Sequence, residues 1–240
     1  MTALVRAQLV GLHTLRSTYV VPFAVVAIAA AIAGFGLSDA GTPGMTTPGE
    51  LREAVIAGAG IIGAVALSIF AAMRVAGEYR HDTITLRVLA SPRRARVLSA
   101  ELLTYAALGL AVGAMALGTT LAIAQPQLAD KDLSLGLSAG LVGGFLLAVV
   151  LFTLIGVVAG VITRSQPAAV VAVIGTFFAE KLVGIVSGAV TPYLPYGLLN
   201  PLLGLDGATI SRGTAAVSLA AITAALAALA YLLLSRRDVT

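Results

Sequence analysis

Six times along this chain the sequence runs for about twenty residues with almost no charge. That pattern restricts it to folds in which whole helices lie in apolar surroundings. Residues 20–38 carry no charge and are rich in Ala, Val and Ile. As a helix rising about 1.5 Å per residue, they reach roughly the 30 Å of a hydrocarbon core. Comparable runs cover about 54–73, 102–124, 135–162, 168–190 and 214–234. Composition agrees: 11% of residues are charged and 59% hydrophobic, with a mean hydropathy of +1.01, whereas a soluble domain carries about 25% charged residues. A cleaved signal peptide normally has an apolar core of about 7–15 residues, so the first run is read as a span. The expectation is an all-α membrane protein with six transmembrane helices in a single domain over 1–240.

Residues 1–18 place Leu4, Leu9 and Leu12 near one helical stripe, with Arg6, His13 and Arg16 elsewhere, which predicts an amphipathic helix on the membrane surface. Cytoplasmic connectors carry the excess of Lys and Arg. Arg6 and Arg16 precede span one; Arg74, Arg80, Arg87, Arg93, Arg94 and Arg96 lie between spans two and three; Arg164 lies between four and five; Arg236 and Arg237 follow six. The opposite connectors hold Arg52, Lys131 and Arg212. Both ends are therefore expected in the cytoplasm.

The chain has no cysteine, which removes thiol catalysis, disulfides and cysteine-ligated metals. Its two histidines, His13 and His81, lie in polar segments among arginines, so a histidine-built metal site or catalytic triad in the membrane is not expected. The basic residues gather at segment ends rather than on one face, which argues against nucleic-acid binding.

The connector at 77–101, GEYRHDTITLRVLASPRRARVLSAE, is longer than a turn and too short for a domain. Asp82 or Thr83 can cap a short helix running to Ala90, and Ser91 followed by Pro92 reads as a second helix start. Arg93, Arg94 and Arg96 can reach lipid headgroups with their stems in the interface. Taken as a unit, the short helix is a plausible docking surface.

Here the chain resembles the type 2 ABC exporter permeases of bacteria. In that family an acidic residue, a Gly-Thr pair, a few apolar residues, a Ser-Pro-like break and basic residues lie between spans two and three. The matching positions are Glu78, Thr83, Leu86, Leu89, Ser91, Pro92 and Arg93. The chain departs at Asp82, where Gly is usual, and at Glu101, where Lys is expected. The resemblance implies that Glu78, Arg80, Thr83, Leu86 and Leu89 couple the chain to a separate ATP-binding subunit. It also implies a second permease copy or related permease as partner, and the bacterial inner membrane as location. A phosphate-binding loop needs Gly-Lys followed by Ser or Thr. The only lysines here, Lys131 and Lys181, follow Asp130 and Glu180. ATP and Mg are accordingly expected on the partner, with no cofactor or metal in this chain and no enzymatic activity of its own.

The connector at 191–213 is apolar for an external loop, and Pro192, Pro195 and Pro201 cut it into pieces too short to span. Such pieces fit as half-helices re-entering the membrane, where protein shields their backbone; a loop lying flat with Tyr193 and Tyr196 at the interface is the alternative. Glu180 and Lys181 fall inside span five, where ionisable groups are costly and face partners or water. Being adjacent, they point about 100° apart. Glu180, Tyr193, Pro195, Tyr196, Asn200 and Pro201 are the candidate gating or pathway residues. Gly58, Gly60, Gly63 and Ala64 in span two, and Gly156 and Gly160 in span four, suit close helix approach.

The function these readings point to is the permease half of an ATP-driven exporter, moving an amphipathic drug, antibiotic, peptide or lipid by alternating access. An ion-gradient transporter would favour more intramembrane carboxylates and two similar halves. An intramembrane enzyme would need a nucleophile and base, or paired acids, at membrane depth.

Overall fold

The computed structural model describes residues 17–80, 94–205 and 207–236, and among these every regular element is helical. Helix α1 spans Ser17–Phe35 and the short α2 Pro48–Arg52; a π turn, Glu53–Ala57, joins α2 to α3, Gly58–Arg80. Then follow α4 (Arg94–Ala129), α5 (Ala139–Thr163), α6 (Gln166–Val186), the one-turn α7 (Leu199–Leu202) and α8 (Arg212–Arg236). Five continuous helices, Pro48–Tyr79, Ala95–Ala129, Ala139–Thr163, Gln166–Val186 and Arg212–Arg236, are long and apolar enough to cross a membrane. The apolar helix Tyr19–Phe35 is shorter, at the lower limit of the about 17–25 residues a crossing needs.

The helices extend beyond the apolar runs, for local reasons. The second begins at Pro48 rather than near residue 54, because Thr47 and Glu50 form a capping box. The Glu50 amide donates to Thr47 Oγ1 at 3.3 Å, the Thr47 amide donates to the Glu50 carboxylate at 2.8 Å, and Pro48 opens the first turn. At its other end this helix runs on through Glu78, so the connector read as starting at 77 begins within α3. Ser138 caps α5 by accepting from the Leu141 amide at 3.2 Å, which leaves residues 133–138 outside the helix where the apolar run alone put a span from 135. The tight turn at 164–167 is present: Arg164 adopts a left-handed conformation (φ 54°) and α6 starts two residues later with Pro167 in its first turn. The N-terminal surface helix expected over 1–18 lies, through residue 16, outside the described residues.

Helices α3 and α5 form the centre, 61% of each apolar span being buried, against 17% for α6 and 22% for α8. Their contact is set by small residues. A Cβ on Gly156 would collide with the carbonyl oxygen of Ser68, and one on Gly160 would stand 2.7 Å from that of Ala72. Backbones can approach this closely only where a side chain is missing. Helix α4 covers α5 on one side and carries α1, while α6 lies against α3 and α8 against α5.

Replacing Gly156 with Val is expected to cost about 1–3 kcal/mol, the usual penalty of overpacking. Gly143→Val on the same helix, where a Cβ meets nothing within 4 Å, is expected to change little. Thermal unfolding of both variants in detergent, followed by size exclusion, checks the contrast.

Candidate functional site

The segment from Thr191 to Leu205, which leads from α6 toward α8, is folded into the bundle. Proline sets its course: Pro192 lies in a single 3-10 turn, Thr191–Tyr193, and Pro201 lies in α7, only four residues long. The half-helices expected here are thus one turn each. Leu198, Leu199, Leu202 and Leu203 are buried to 1% exposure or less. Two glycines of the central helices make room for them: a Cβ on Gly144 would meet the Leu202 carbonyl oxygen, and one on Gly60 would come within 2.6 Å of the Leu203 side chain.

Turns this tight leave amide groups without helical partners, and Glu180 supplies the acceptor. Its carboxylate accepts from the Tyr196 amide at 3.0 and 3.1 Å and from the Gly197 amide at 3.3 Å. Glu180 is 5% exposed. It stands six residues before the end of α6, about 9 Å along the helix axis. Tyr196 reaches deeper, its hydroxyl donating to the Val173 carbonyl at 3.1 Å. Its ring stands edge-on between Phe152 of α5 (centroids 5.0 Å apart) and Phe177 of α6 (5.2 Å), a favoured arrangement for aromatic pairs. Val173 lies thirteen residues, about 20 Å, before the end of α6. The segment therefore enters the bundle well below the helix end.

Glu180 and Lys181 diverge as their adjacency requires. The Lys181 ammonium lies 5.4 Å from the centre of the Phe177 ring and is exposed, while the carboxylate turns inward. Both line a cavity of about 120 Å³ between α3, α6 and the segment, together with Thr191, Tyr196 and Asn200. A second cavity of about 120 Å³ is lined by Asn200 and Pro201 together with Thr191 and Pro192. Of the candidate gating residues, Glu180, Tyr196 and Pro201 come together in the bundle, Pro195 is half-buried beside them, and Asn200 lies between the two cavities. Tyr193 is 53% exposed and takes no part in this contact.

At the opposite end, Glu78 lies in the last turn of α3 and Arg80 closes it. Thr83, Leu86 and Leu89 lie outside the described residues. The turn between α5 and α6 docks against α3 at Met73 and Tyr79. Gln166 donates to the Met73 carbonyl at 3.2 Å, and the Arg164 guanidinium lies 5.1 Å from the centre of the Tyr79 ring. Glu101 of α4, 1% exposed, directly precedes Leu102, which packs against the same apolar cluster as Tyr79.

Two features were not legible in the sequence. Glu101 stands out there only as a departure from a family pattern, and its burial depends on packing. Arg52 and Arg212 enter only as charges on the poorer side, yet both hold the inserted segment: Arg52 donates to the Gly204 carbonyl at 2.9 Å and Arg212 to the Pro201 carbonyl at 3.2 Å. Among the described residues, no three of His, Asp or Glu gather as a metal site. No family model matches the sequence, and comparison with curated proteins finds no match.

Glu180→Leu removes the acceptor that the Tyr196 and Gly197 amides have among the described residues, and about 2–4 kcal/mol of stability is expected to go with it. Glu180→Gln keeps one acceptor oxygen and should lose about half as much. Tyr196→Phe should lose about 1 kcal/mol. Unfolding of the three variants in mixed detergent micelles measures this order.

Proposed function

We propose that this chain is the membrane-spanning permease subunit of an ATP-driven exporter in the bacterial inner membrane. In this reading it crosses six times, with α1 as the first span, both ends cytoplasmic and the 191–213 connector re-entrant from the outer side. A separate ATP-binding subunit docks on the connector between α3 and α4, and a second copy or related permease completes the pathway. The cargo class is an amphipathic drug, antibiotic, peptide or lipid.

The observation that carries the transport reading is the inserted segment itself. Polar backbone is tolerated at membrane depth only where protein satisfies it or where it lines a cavity. Glu180 and the cavity beside it provide both conditions. A plug built this way, tied by a few polar contacts, can be displaced as helices move. Support for the ATP-driven part is the connector's residue pattern, together with the position of Glu78 at the end of a helix that continues unbroken from the outer loop. A push at the connector would be delivered along α3, and through Gln166 and Arg164 to the start of α6, whose outer half holds Tyr196.

One observation favours an ion-gradient carrier as the second reading: Glu101 joins Glu180 as a buried acid in a long helix. Glu180 is a poor candidate for a carrier site, since it already accepts from two backbone amides.

Purification of the chain from its native membrane should bring down an ATP-binding subunit at matched stoichiometry, with ATPase activity in the complex. Charge reversal at Glu78 combined with Leu86→Asp is expected to abolish at least nine-tenths of coupled transport. Full coupling in that variant would falsify the docking assignment, and recovery of the chain alone, with transport driven by an ion gradient, would favour the carrier.

A further inference from the structure

The three basic residues on the side poor in positive charge share one chemistry. Lys131 donates to the Ala40 carbonyl at 2.7 Å, Arg52 to the carbonyls of Gly204 (2.9 Å) and Leu135 (3.1 Å), and Arg212 to that of Pro201 (3.2 Å). Each ties a loop by its backbone. The two arginines converge on one loop from opposite elements, Arg52 from the end of α2 and Arg212 from the start of α8. Between them lies Gly204, at φ +70°, where a Cβ would stand 3.3 Å from Arg212 Nη2 and 3.5 Å from Arg52 Nε and would collide with Leu141. The carbonyls they hold belong to the exit of α7, where a helix has oxygen atoms to satisfy and favours cations.

We infer that Arg52 and Arg212 form a two-armed latch that holds the 198–204 turn inside the bundle, and that this turn opens as a unit when both arms are released. In surroundings made of lipid, buried leucines gain little over leucines facing acyl chains, so polar contacts decide where an apolar turn rests. The turn has two sets of them. Glu180 holds the residues that lead into it, Tyr196 and Gly197; the arginines hold the turn itself through Pro201 and Gly204. Because Arg52 rides on the helix that continues into α3 and Arg212 on α8, separation of those two helices would pull the arms apart. The latch holds for any activity that needs the turn to open, whatever energises it.

The absence of cysteine makes the test direct. Leu202→Cys in lipid nanodiscs reports on the turn, since Leu202 is fully buried, and Leu67→Cys, equally buried in α3, reports on the core. Reaction with a polar maleimide is timed with and without Arg52→Met and Arg212→Met together. Opening of the turn predicts labelling at position 202 at least tenfold faster, with labelling at 67 unchanged, while Lys131→Met, which touches a different loop, leaves both unchanged. The latch is overturned if the rate at 202 rises less than threefold. It is equally overturned if 67 becomes reactive along with 202, because the arginines would then hold the whole bundle and not the turn.

Discussion

Ser68 and Ala72 present their carbonyl oxygens to the bare Cα atoms of Gly156 and Gly160, and the rest of the molecule is arranged around that contact. In an aqueous core, apolar side chains would draw two helices together; between lipid-facing helices that force is nearly absent, and close backbone approach takes its place. Two glycines on one turn of α5 let α3 come near enough for dispersion contacts along both helices. With α3 and α5 fixed, α4 and α8 find their places on α5, α6 finds its place on α3, and the 191–205 segment packs against both central helices at Gly60 and Gly144.

How that segment is held follows from the bookkeeping of backbone hydrogen bonds. A segment interrupted by Pro192, Pro195 and Pro201 cannot satisfy its own amides as a helix does. Glu180 answers at the inner end, Arg52 and Arg212 at the outer end, and the Tyr196 hydroxyl uses a spare lone pair of the Val173 carbonyl. An ionisable side chain in a span is commonly read as part of a transport path. Here the carboxylate is occupied in holding a loop. Arg52, Lys131 and Arg212 are engaged in the same way, each donating to backbone oxygen.

The two ends of the molecule are joined through α3 and α6. Helix α2, the π turn and α3 lead from the capping box at Thr47, past Arg52, to Glu78 at the connector. Helix α6 begins against α3 through Gln166 and ends by holding Tyr196. Both are continuous runs of hydrogen-bonded helix.

Much of this was readable in the residues themselves. Charge-free runs of helical length require helices in apolar surroundings, whatever they pack against, and Gly156 with Gly160 four residues on identifies a face made for close contact. The turn at Arg164 and Pro167 is likewise local chemistry. Helix ends were misread where a cap overruled hydropathy, as at Thr47 and Ser138, since a capping box carries no apolar signal of its own. What only the tertiary structure decided is which polar groups meet. Glu180 lies sixteen residues from Tyr196, and Arg52 more than a hundred and fifty from Gly204. No spacing rule links such positions; the pairs exist because packing of the 191–205 segment against α3 and α5 brings its backbone amides and carbonyls to side chains far away in sequence.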